Sequence, residues 1–385
     1  MSENKRRPSG ILQALAGIAG FGALAGVMVT AMLSPALAVT SVGATSAIGV
    51  FDALPEFIEL GDQAQKNTLW AQNTQDPADG YTAFAEVYWQ DREEVALEDM
   101  SPYLVAAAVA GEDRRFYDHT GVDINSIVRA ALGNVFSGGI ESGASTLTMQ
   151  LVKNTYIQRS QYLPTAEERQ AAYAVAIETS FQRKLNEMKL AIGVEKQYTK
   201  EEILEAYLNI TGFGGNTYGV QAASQQYFGK PAKSLSPAEA ASLLAIVQYP
   251  TTRNLSNPEN YAANQERRDI ILAAMLAEDY LTQAQYDRAI ATPVDSSFVT
   301  ISPPTAGCLA ANEYTRFFCD YVIKNVENFD SLGATEEERT QRWRRGGLDV
   351  YTTMNLSLQT TAQDRVWELV PSDEEVFDMG SATTS

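Results

Sequence analysis

The sequence predicts a mainly α-helical, exported domain that follows a membrane-spanning helix and adjoins a small β-structured linker. Three observations lead to this fold class. An uncharged apolar run lies near the N-terminus, at residues 11–33. From about residue 100 to residue 290, apolar side chains recur at helical spacing between repeated helix-start signals. Short stretches outside this region alternate apolar and polar residues, as strands do.

The N-terminal run predicts export. It follows the basic stretch MSENKRRPSG and, as a helix, would be roughly 35 Å long, which is enough to cross a bilayer. The positive-inside bias places the remainder of the chain outside the cell. A cleaved signal peptide is the alternative, because SPALAVT at 34–40 resembles a processing site, but the apolar run is long for a signal and favours a retained anchor. We expect a single-pass protein of the cell membrane with its bulk extracytoplasmic.

The composition excludes several classes of function. Of 385 residues, 48 are Asp or Glu and 29 are Lys or Arg, so the formal net charge is -19. A general nucleic-acid binder needs a broad basic face, so we expect no nucleic-acid partner. One histidine and two cysteines cannot build a His-rich metal site or an all-cysteine zinc site. Catalysis therefore falls to carboxylate, Lys, Arg, Ser or Tyr side chains, and we assign no metal ligands.

Changes in composition divide the chain into segments. The small and turn-rich part before the helical region is interpreted as a juxtamembrane linker with a strand candidate at 82–90. The Pro/Ser/Thr-rich part after the helical region is interpreted as a second linker, followed by the opening of another domain. The predicted segments are a tail and anchor (1–35), a juxtamembrane linker (36–95), the helical domain (96–290), a linker with two cysteines (291–345) and the start of a further domain (346–385).

Cys308 and Cys319 flank the stretch CLAANEYTRFFC. In an oxidising compartment two such thiols are more often bonded than free, so we predict a disulfide. A free buried pair is the alternative, because sequence does not show the geometry that a bond requires.

The sequence of the helical domain contains clear helix-start signals. Ser101 is a predicted N-cap with Pro102 at the first helical position. Capping boxes, in which a Ser or Thr is followed three residues later by Glu, mark further starts. These boxes pair Thr165 with Glu168, Thr199 with Glu202, and Ser236 with Glu239.

Glu112 is the first candidate for acid or base chemistry. It ends the apolar helix SPYLVAAAVAGE, where partial burial and the helix C-terminus would both raise the pKa of a carboxyl group. The alternative is a solvated acid that pairs with Arg114 and Arg115. His119 is interpreted as a structural histidine that binds a backbone carbonyl.

Two further stretches carry polar side chains in suggestive patterns. GASTLTMQLVKN (143–154) combines a small-residue loop, hydroxyls and a lysine, which suit an oxyanion, although an ordinary N-cap and a solvated helix face would look the same. RKLNEMK (183–189) places Arg183 and Glu187 four residues apart on a helix. A solvated ion pair is the default explanation, and a second carboxylate with two cations at one cleft is the functional one.

Four ordered motifs resemble the peptidoglycan glycosyltransferases of class A penicillin-binding proteins, which are the family 51 glycosyltransferases. The motifs are EDRRFYDHTG, GASTLTMQLVKN, RKLNEMKLAIGVEKQYTKEEILEAYLN and GVQAASQQYFGKPAKSLSPAEAASLLAIVQYP, all within residues 95–275. GGLDVYTTMNLSLQ looks like the lead-in to the transpeptidase domain of that family. The one S-x-x-K is SENK at residues 2–5 and no K-T-G occurs, so we expect that domain to be absent and penicillin not to bind.

The resemblance implies a lysozyme-like helical domain that polymerises lipid II, a disaccharide-pentapeptide on undecaprenyl pyrophosphate, into β-1,4-linked glycan strands with inversion. It implies that Glu112 is the general base and that Glu187 assists at the donor. It also implies inhibition by a moenomycin-like phosphoglycolipid. The substrate-binding residues that match family positions are Asp113, Gly143, Ser145, Gln150, Lys153, Asn154, Arg183 and Lys184.

Two positions depart from the family pattern. Met149 replaces the first of two usual glutamines, and the segment between Asn154 and Arg183 is longer than usual, where we expect a flap over the donor site. The expected partners are lipid II, the growing glycan strand and the membrane, which NVFSGGI (134–140) would contact unless it is an ordinary buried loop. Cell-wall synthesis and division proteins are further candidate partners. We assign no certain cofactor, and a divalent cation stays open as a possible one that no residue pattern supports.

Two rival functions fit parts of this sequence. A lytic enzyme of the same fold would cleave glycan with one glutamate as acid, but it needs no pyrophosphate pocket. A catalytically silent scaffold would dock cell-wall proteins through its helices, but it does not need both glutamates.

Overall fold

A computed structural model describes residues 57–60, 64–127, 145–302 and 307–369, and all of them fall within one compact unit, Glu56–Ser385. The predicted anchor at 11–33, the predicted membrane contact at 134–140 and Gly143 lie outside the described residues. Within the described ranges no helix combines the length and the hydrophobicity needed to cross a bilayer.

Helices dominate the described residues, as the sequence predicts. Labelled in chain order, they are α1 (Pro102–Glu112), α2 (Leu147–Gln161), α3 (Ala166–Ile177), α4 (Phe181–Gln197), α5 (Lys200–Ile210), α6 (Val220–Phe228), α7 (Pro237–Ile246), α8 (Pro250–Arg253), α9 (Tyr261–Ala277), α10 (Gln283–Ile290), α11 (Arg316–Lys324), α12 (Glu336–Arg345) and α13 (Leu356–Leu369). Short 3-10 turns lie at Pro77–Asp79, Leu97–Asp99, Phe116–Asp118, Ala232–Ser234, Pro258–Asn260, Val326–Asn328 and Asp330–Leu332.

The strands are short and few in the described part of the chain. They are β1 (Asn67–Gln72), β2 (Tyr81–Val87), β3 (Asp91–Arg92), β4 (Thr217–Tyr218) and β5 (Asp349–Asn355). β1 lies in the middle of a three-stranded sheet, antiparallel to β2 and parallel to β5. β3 and β4 form a two-residue parallel pair.

The predicted helix starts are confirmed. The Ser101 hydroxyl accepts a hydrogen bond from the Tyr103 amide, and Pro102 is the first residue of α1. The three predicted capping boxes open α3, α5 and α7. A fourth box, Thr282 with Gln285, opens α10 and was not predicted.

The larger core lies between the helices. α1 packs against α7 and α9, and α2 packs against α3, α4 and α5. Alanines such as Ala107 and Ala108 are fully buried in α1, and small side chains let helix axes approach closely. At Gly111 the two helices are in close contact, because a Cβ atom built on it would lie 3.1 Å from Ile271 of α9. This contact brings the end of α1 beside α9.

A smaller core lies under the three-stranded sheet. Leu69 and Val87 from the sheet pack with Cys319, Val322 and Trp343 from α11 and α12. The Cys308–Cys319 disulfide is formed, with a Cα–Cα distance of 5.4 Å. We refer to residues 64–87 and 307–369 together as the sheet module. It unites stretches that the sequence analysis assigned to two separate linkers and to the start of a further domain.

Candidate active site

A cleft of about 370 Å³ opens where the end of α1 meets the first turns of α2 and α4. The far side is closed by α9 and by the end of α7. It contains most of the site residues predicted from sequence. Those lining it are Glu112, Ser145, Gln150, Lys153, Arg183, Lys184 and Glu187, joined by Gly111, Met149, Val247, Gln248 and Arg267.

Glu112 is the last residue of α1 and is held from two sides. Its side chain is 10% exposed. Gln150 Nε2 donates to one carboxylate oxygen at 3.1 Å, and Arg267 Nη2 donates to the other at 3.1 Å. Burial raises the pKa of Glu112, while the charge and hydrogen bond of Arg267 and the hydrogen bond of Gln150 act in the opposite direction. A carboxylate whose pKa is raised by burial is a stronger base than an exposed one, which suits it to accept a proton.

Gln150 is itself fixed from behind. The hydroxyl of Tyr207, a fully buried residue of α5, donates to Gln150 Oε1 at 3.2 Å. Since that oxygen already accepts a bond, the amide nitrogen is turned toward Glu112. The neighbouring Met149, which replaces the first of the two usual glutamines, is 1% exposed and places an apolar side chain there.

Arg267 is a site residue that the sequence analysis did not identify. It lies on α9, one turn before Ile271, the residue that contacts Gly111. Its guanidinium also donates to the Gly111 carbonyl at 2.9 Å, and its side chain is 18% exposed. The stretch ERRDIIL looks like an ordinary amphipathic helix. The one signal in the sequence was the pair Arg267 and Arg268 inside an apolar helical pattern, which indicates that a charged side chain has a partner in the core.

Glu187 also lines the cleft, with its side chain 3% exposed. Its carboxylate pairs with Arg183 one turn earlier on α4, and Lys184 Nζ is 3.1 Å from its other oxygen. The carboxylate of Glu187 is therefore buried, while its partners Arg183 and Lys184 are more exposed and reach the cleft. Glu187 holds two cations in fixed positions, which costs less reorganisation than recruiting mobile side chains.

The cationic wall of the cleft consists of Lys153, Arg183 and Lys184. Lys184 Nζ also donates to the Ser145 hydroxyl at 2.6 Å, which ties α4 to the loop two residues before the start of α2. Burial, followed by the charges of Arg183 and Lys153, lowers the pKa of Lys184 to about 8. Burial and Arg183 also lower the pKa of Lys153. Cations crowded in this way gain stability when an anion binds between them.

Asp113 faces away from the cleft. Its Oδ2 accepts a hydrogen bond from the Leu147 amide at 3.0 Å and lies 2.9 Å from His119 Nε2. Asp113 is thus a positioning residue that attaches the first turn of α2 to the end of α1. The sequence analysis predicted that His119 binds a backbone carbonyl. Its Nε2 contacts the Asp113 carboxylate instead, because the chain folds back after residue 113.

The remaining predicted residues are less informative. Asn154 follows Lys153 on α2, is half-buried and does not line the cleft. Gly143 lies outside the described residues. In the ranges that the structure describes, no group of three or more His, Cys, Asp or Glu side chains is arranged to hold a metal ion.

The chain is similar to known proteins. A family model described as Transglycosylase matches residues 80–276. Penicillin-binding protein 1A of Streptococcus oralis is 31% identical over 345 residues, which cover 89% of this chain and 44% of that protein. Penicillin-binding protein 1A of Pseudomonas aeruginosa is 37% identical over 276 residues, which cover 71% of this chain and 29% of that protein. The chain therefore spans less than half the length of these relatives.

Among solved structures, the crystal structure of Penicillin-Binding Protein 1A from Haemophilus influenzae matches 70% of this chain and 25% of its own, at 20% identity and a TM-score of 0.34. A superposition of this quality supports no inference about the site.

Proposed function

Because this chain belongs to the transglycosylase family, we propose that it is a peptidoglycan glycosyltransferase that polymerises lipid II into β-1,4-linked glycan strands and releases undecaprenyl pyrophosphate. One observation carries the proposal. A buried carboxylate, Glu112, and three cations, Lys153, Arg183 and Lys184, line the same cleft. Such a cleft offers a base at one end and charge stabilisation at the other, which are the two requirements of this transfer.

Glu112 is the proposed general base. It takes the proton from the 4-hydroxyl of the acceptor sugar while that oxygen attacks the anomeric carbon of the donor. The bond from the anomeric carbon to the α-linked pyrophosphate breaks, and its electron pair leaves with the pyrophosphate. A single displacement inverts the anomeric centre, so the new bond is β and no covalent intermediate on the enzyme is needed.

The cationic wall is the proposed site of the leaving group. Negative charge grows on the pyrophosphate during the transfer, and fixed ammonium and guanidinium groups stabilise that charge in a cleft with little water. Lys153, Lys184 and Arg183 supply these groups, and Glu187 keeps two of them in place. The Ser145 hydroxyl, already bound to Lys184, offers a further hydrogen bond.

The finer features of the proposal concern fold and location. We assign the helical domain to the lysozyme-like class and the apolar run at 11–33 to a membrane anchor, with the site extracytoplasmic. A substrate with a polyprenyl tail stays in the bilayer, so an anchored enzyme meets it in two dimensions rather than three. Lipid II and the glycan strand are the proposed partners, with cell-wall synthesis and division proteins as further candidates.

The direct test is to incubate the purified full chain with fluorescently labelled lipid II in detergent or vesicles, and separately with preformed glycan. Long strands from lipid II are the expected product. Shortened glycan would instead show a lytic enzyme, and no change in either substrate would show a scaffold. Either of these two results would refute the proposal.

A further inference from the structure

A second cavity, of about 440 Å³, lies between the helical domain and the sheet module. The last turn of α2 forms one side, with Arg159 and the helix-ending residue Tyr162. The end of α12 and the start of the next strand form the other side, with Arg342, Arg345 and Gly347. None of the residues described above as the active site takes part in it.

The charge of this cavity is unbalanced. Three arginines line it, and its lining residues include no Asp or Glu. Two of their guanidiniums are held by backbone carbonyls. Arg159 donates to the Glu59 carbonyl at 2.7 Å, and Arg342 donates to the Gly346 carbonyl at 2.8 Å. In a chain with a net charge of -19, cations gathered without acids are an exception that calls for an anionic partner.

The polar groups between the arginines are also incompletely satisfied. Arg345 lies over the ring of Tyr162, 5.6 Å from its centroid, so its fork of N–H donors remains available at the ring edge. The Tyr162 hydroxyl is buried and has no partner at good hydrogen-bond geometry. Burial raises its pKa, although the Ala64 backbone lies close enough to act on the pKa in the opposite direction. Oε1 of Gln158, which is 5% exposed, also lacks a partner. A buried hydroxyl normally finds a partner, and an oxyanion in the cavity can accept the hydrogen bond that Tyr162 offers. Gln158 Oε1 is itself an acceptor and does not contribute to anion binding.

The carbonyl end of α2 points toward the same region and opposes an anion, with the equivalent of about half a negative charge. Three guanidiniums outweigh that partial charge. Arginine also binds carboxylate and phosphate groups through two parallel hydrogen bonds, which gives it an advantage over lysine at such sites.

We propose that this cavity is a binding site for an oxyanion, a phosphate or carboxylate group, that bridges Arg159 of α2 to Arg342 and Arg345 of α12. The bound group fastens the end of α2 to the sheet module. The site is independent of the proposed glycosyl transfer, since it needs neither Glu112 nor the cationic wall of the cleft.

The test uses the full chain and two probes, sodium pyrophosphate and N-acetyl-D-alanine, with sodium chloride at matched ionic strength as the reference. The amide resonances of Gly346 and Gly347 report on the cavity, because these residues line it and lie far along the chain from the cleft. We expect saturable shifts with at least one probe, and the responding probe identifies the phosphate or the carboxylate as the source.

Substitution then locates the site. Arg345→Gln removes a guanidinium that makes no side-chain hydrogen bond to any described residue, so the fold should persist. We expect it to weaken binding about ten- to hundredfold, as the loss of a charge-assisted hydrogen bond does. Arg344→Gln is the matched control, since Arg344 lies on the same helix but stacks over Trp89 at 4.2 Å.

Binding that survives Arg345→Gln and Arg159→Gln together would overturn the proposal. So would equal weakening by Arg344→Gln, or shifts that chloride reproduces. None of these results depends on polymerisation, so failure here is distinguishable from failure of the proposed function.

Discussion

If the proposed function holds, Lys184 should make the binding of lipid II sensitive to pH. Burial and two neighbouring cations lower its pKa to about 8, although Glu187 lies 3.1 Å away. Below this pH the side chain is an ammonium group that can bind a diphosphate, and above it the charge is lost. We therefore predict that kcat/KM for lipid II polymerisation falls as the pH rises through about 8.

The size of the fall follows from the chemistry of one cation. The charged fraction of Lys184 drops about tenfold for each pH unit above its pKa. A charge-assisted hydrogen bond contributes about 1.5–3 kcal/mol, so kcat/KM should level off about ten- to hundredfold lower. The profile of kcat should stay flat to a higher pH, because a bound diphosphate favours the charged lysine.

Replacing Lys184 by arginine tests whether Lys184 causes the fall in kcat/KM. Lys184→Arg keeps the positive charge across the whole range, so the fall near pH 8 should disappear even if the altered geometry lowers the rate. Lys233→Arg, at a surface lysine that pairs with Asp99, is the matched control and should keep the fall. A fall that is unchanged in Lys184→Arg, or that Lys153→Arg removes instead, would refute the reasoning.

Three further predictions follow from the described contacts. Glu112→Gln should lower kcat for polymerisation by about 10²–10⁴-fold. It should also lower the free energy of unfolding in urea by about 1–3 kcal/mol, because the new amide group would face the donors of both Gln150 and Arg267. Undiminished polymerisation would show that Glu112 is not the base. Arg267→Gln deletes the cation that lowers the pKa of Glu112 against burial, so the acid limb of kcat/KM should move to higher pH, and an unmoved limb would contradict this. Replacing Cys308 and Cys319 by Ser removes a disulfide of sequence separation 11 and should lower the free energy of unfolding by about 3 kcal/mol. Equal stability of the variant and the unchanged protein would contradict this prediction.

Local signals in the sequence located the helices well. Capping boxes such as Thr199 with Glu202 depend on residues three apart, so the sequence alone fixes where α5 begins. The strand candidate at 82–90 overlaps β2, which the structure places at Tyr81–Val87. Short-range patterns succeed in these cases because the partners are neighbours in the chain.

The sheet module was beyond sequence reasoning. β1 pairs in parallel with β5, and the Asn67 amide group donates to the Trp343 carbonyl across 276 residues. Each strand alone is too short and too polar to be stable, so its stability comes from the partner strand and from Trp343 beneath it. Composition therefore indicated linkers where distant segments share a core.

The site divides in the same way. Motifs indicated Glu112, Lys184 and Glu187, and the structure brings these residues to one cleft. Arg267 was missed because its role depends on the close contact between α1 and α9 rather than on its neighbours in sequence. Asp113 belongs to a motif, but its orientation depends on where the chain turns after α1, which no local pattern specifies.

The bond from the Leu147 amide to Asp113 has a practical consequence for protein engineering. We therefore expect that α2 cannot be exchanged between related proteins separately from the segment that carries Glu112, the proposed base, since a transplanted α2 would lose the carboxylate that binds its first turn. Chimeras that aim to alter donor selectivity should carry residues 112–121 and 145–153 as one cassette. The His119 ring belongs to that cassette, because it holds the acid in the orientation that the helix requires.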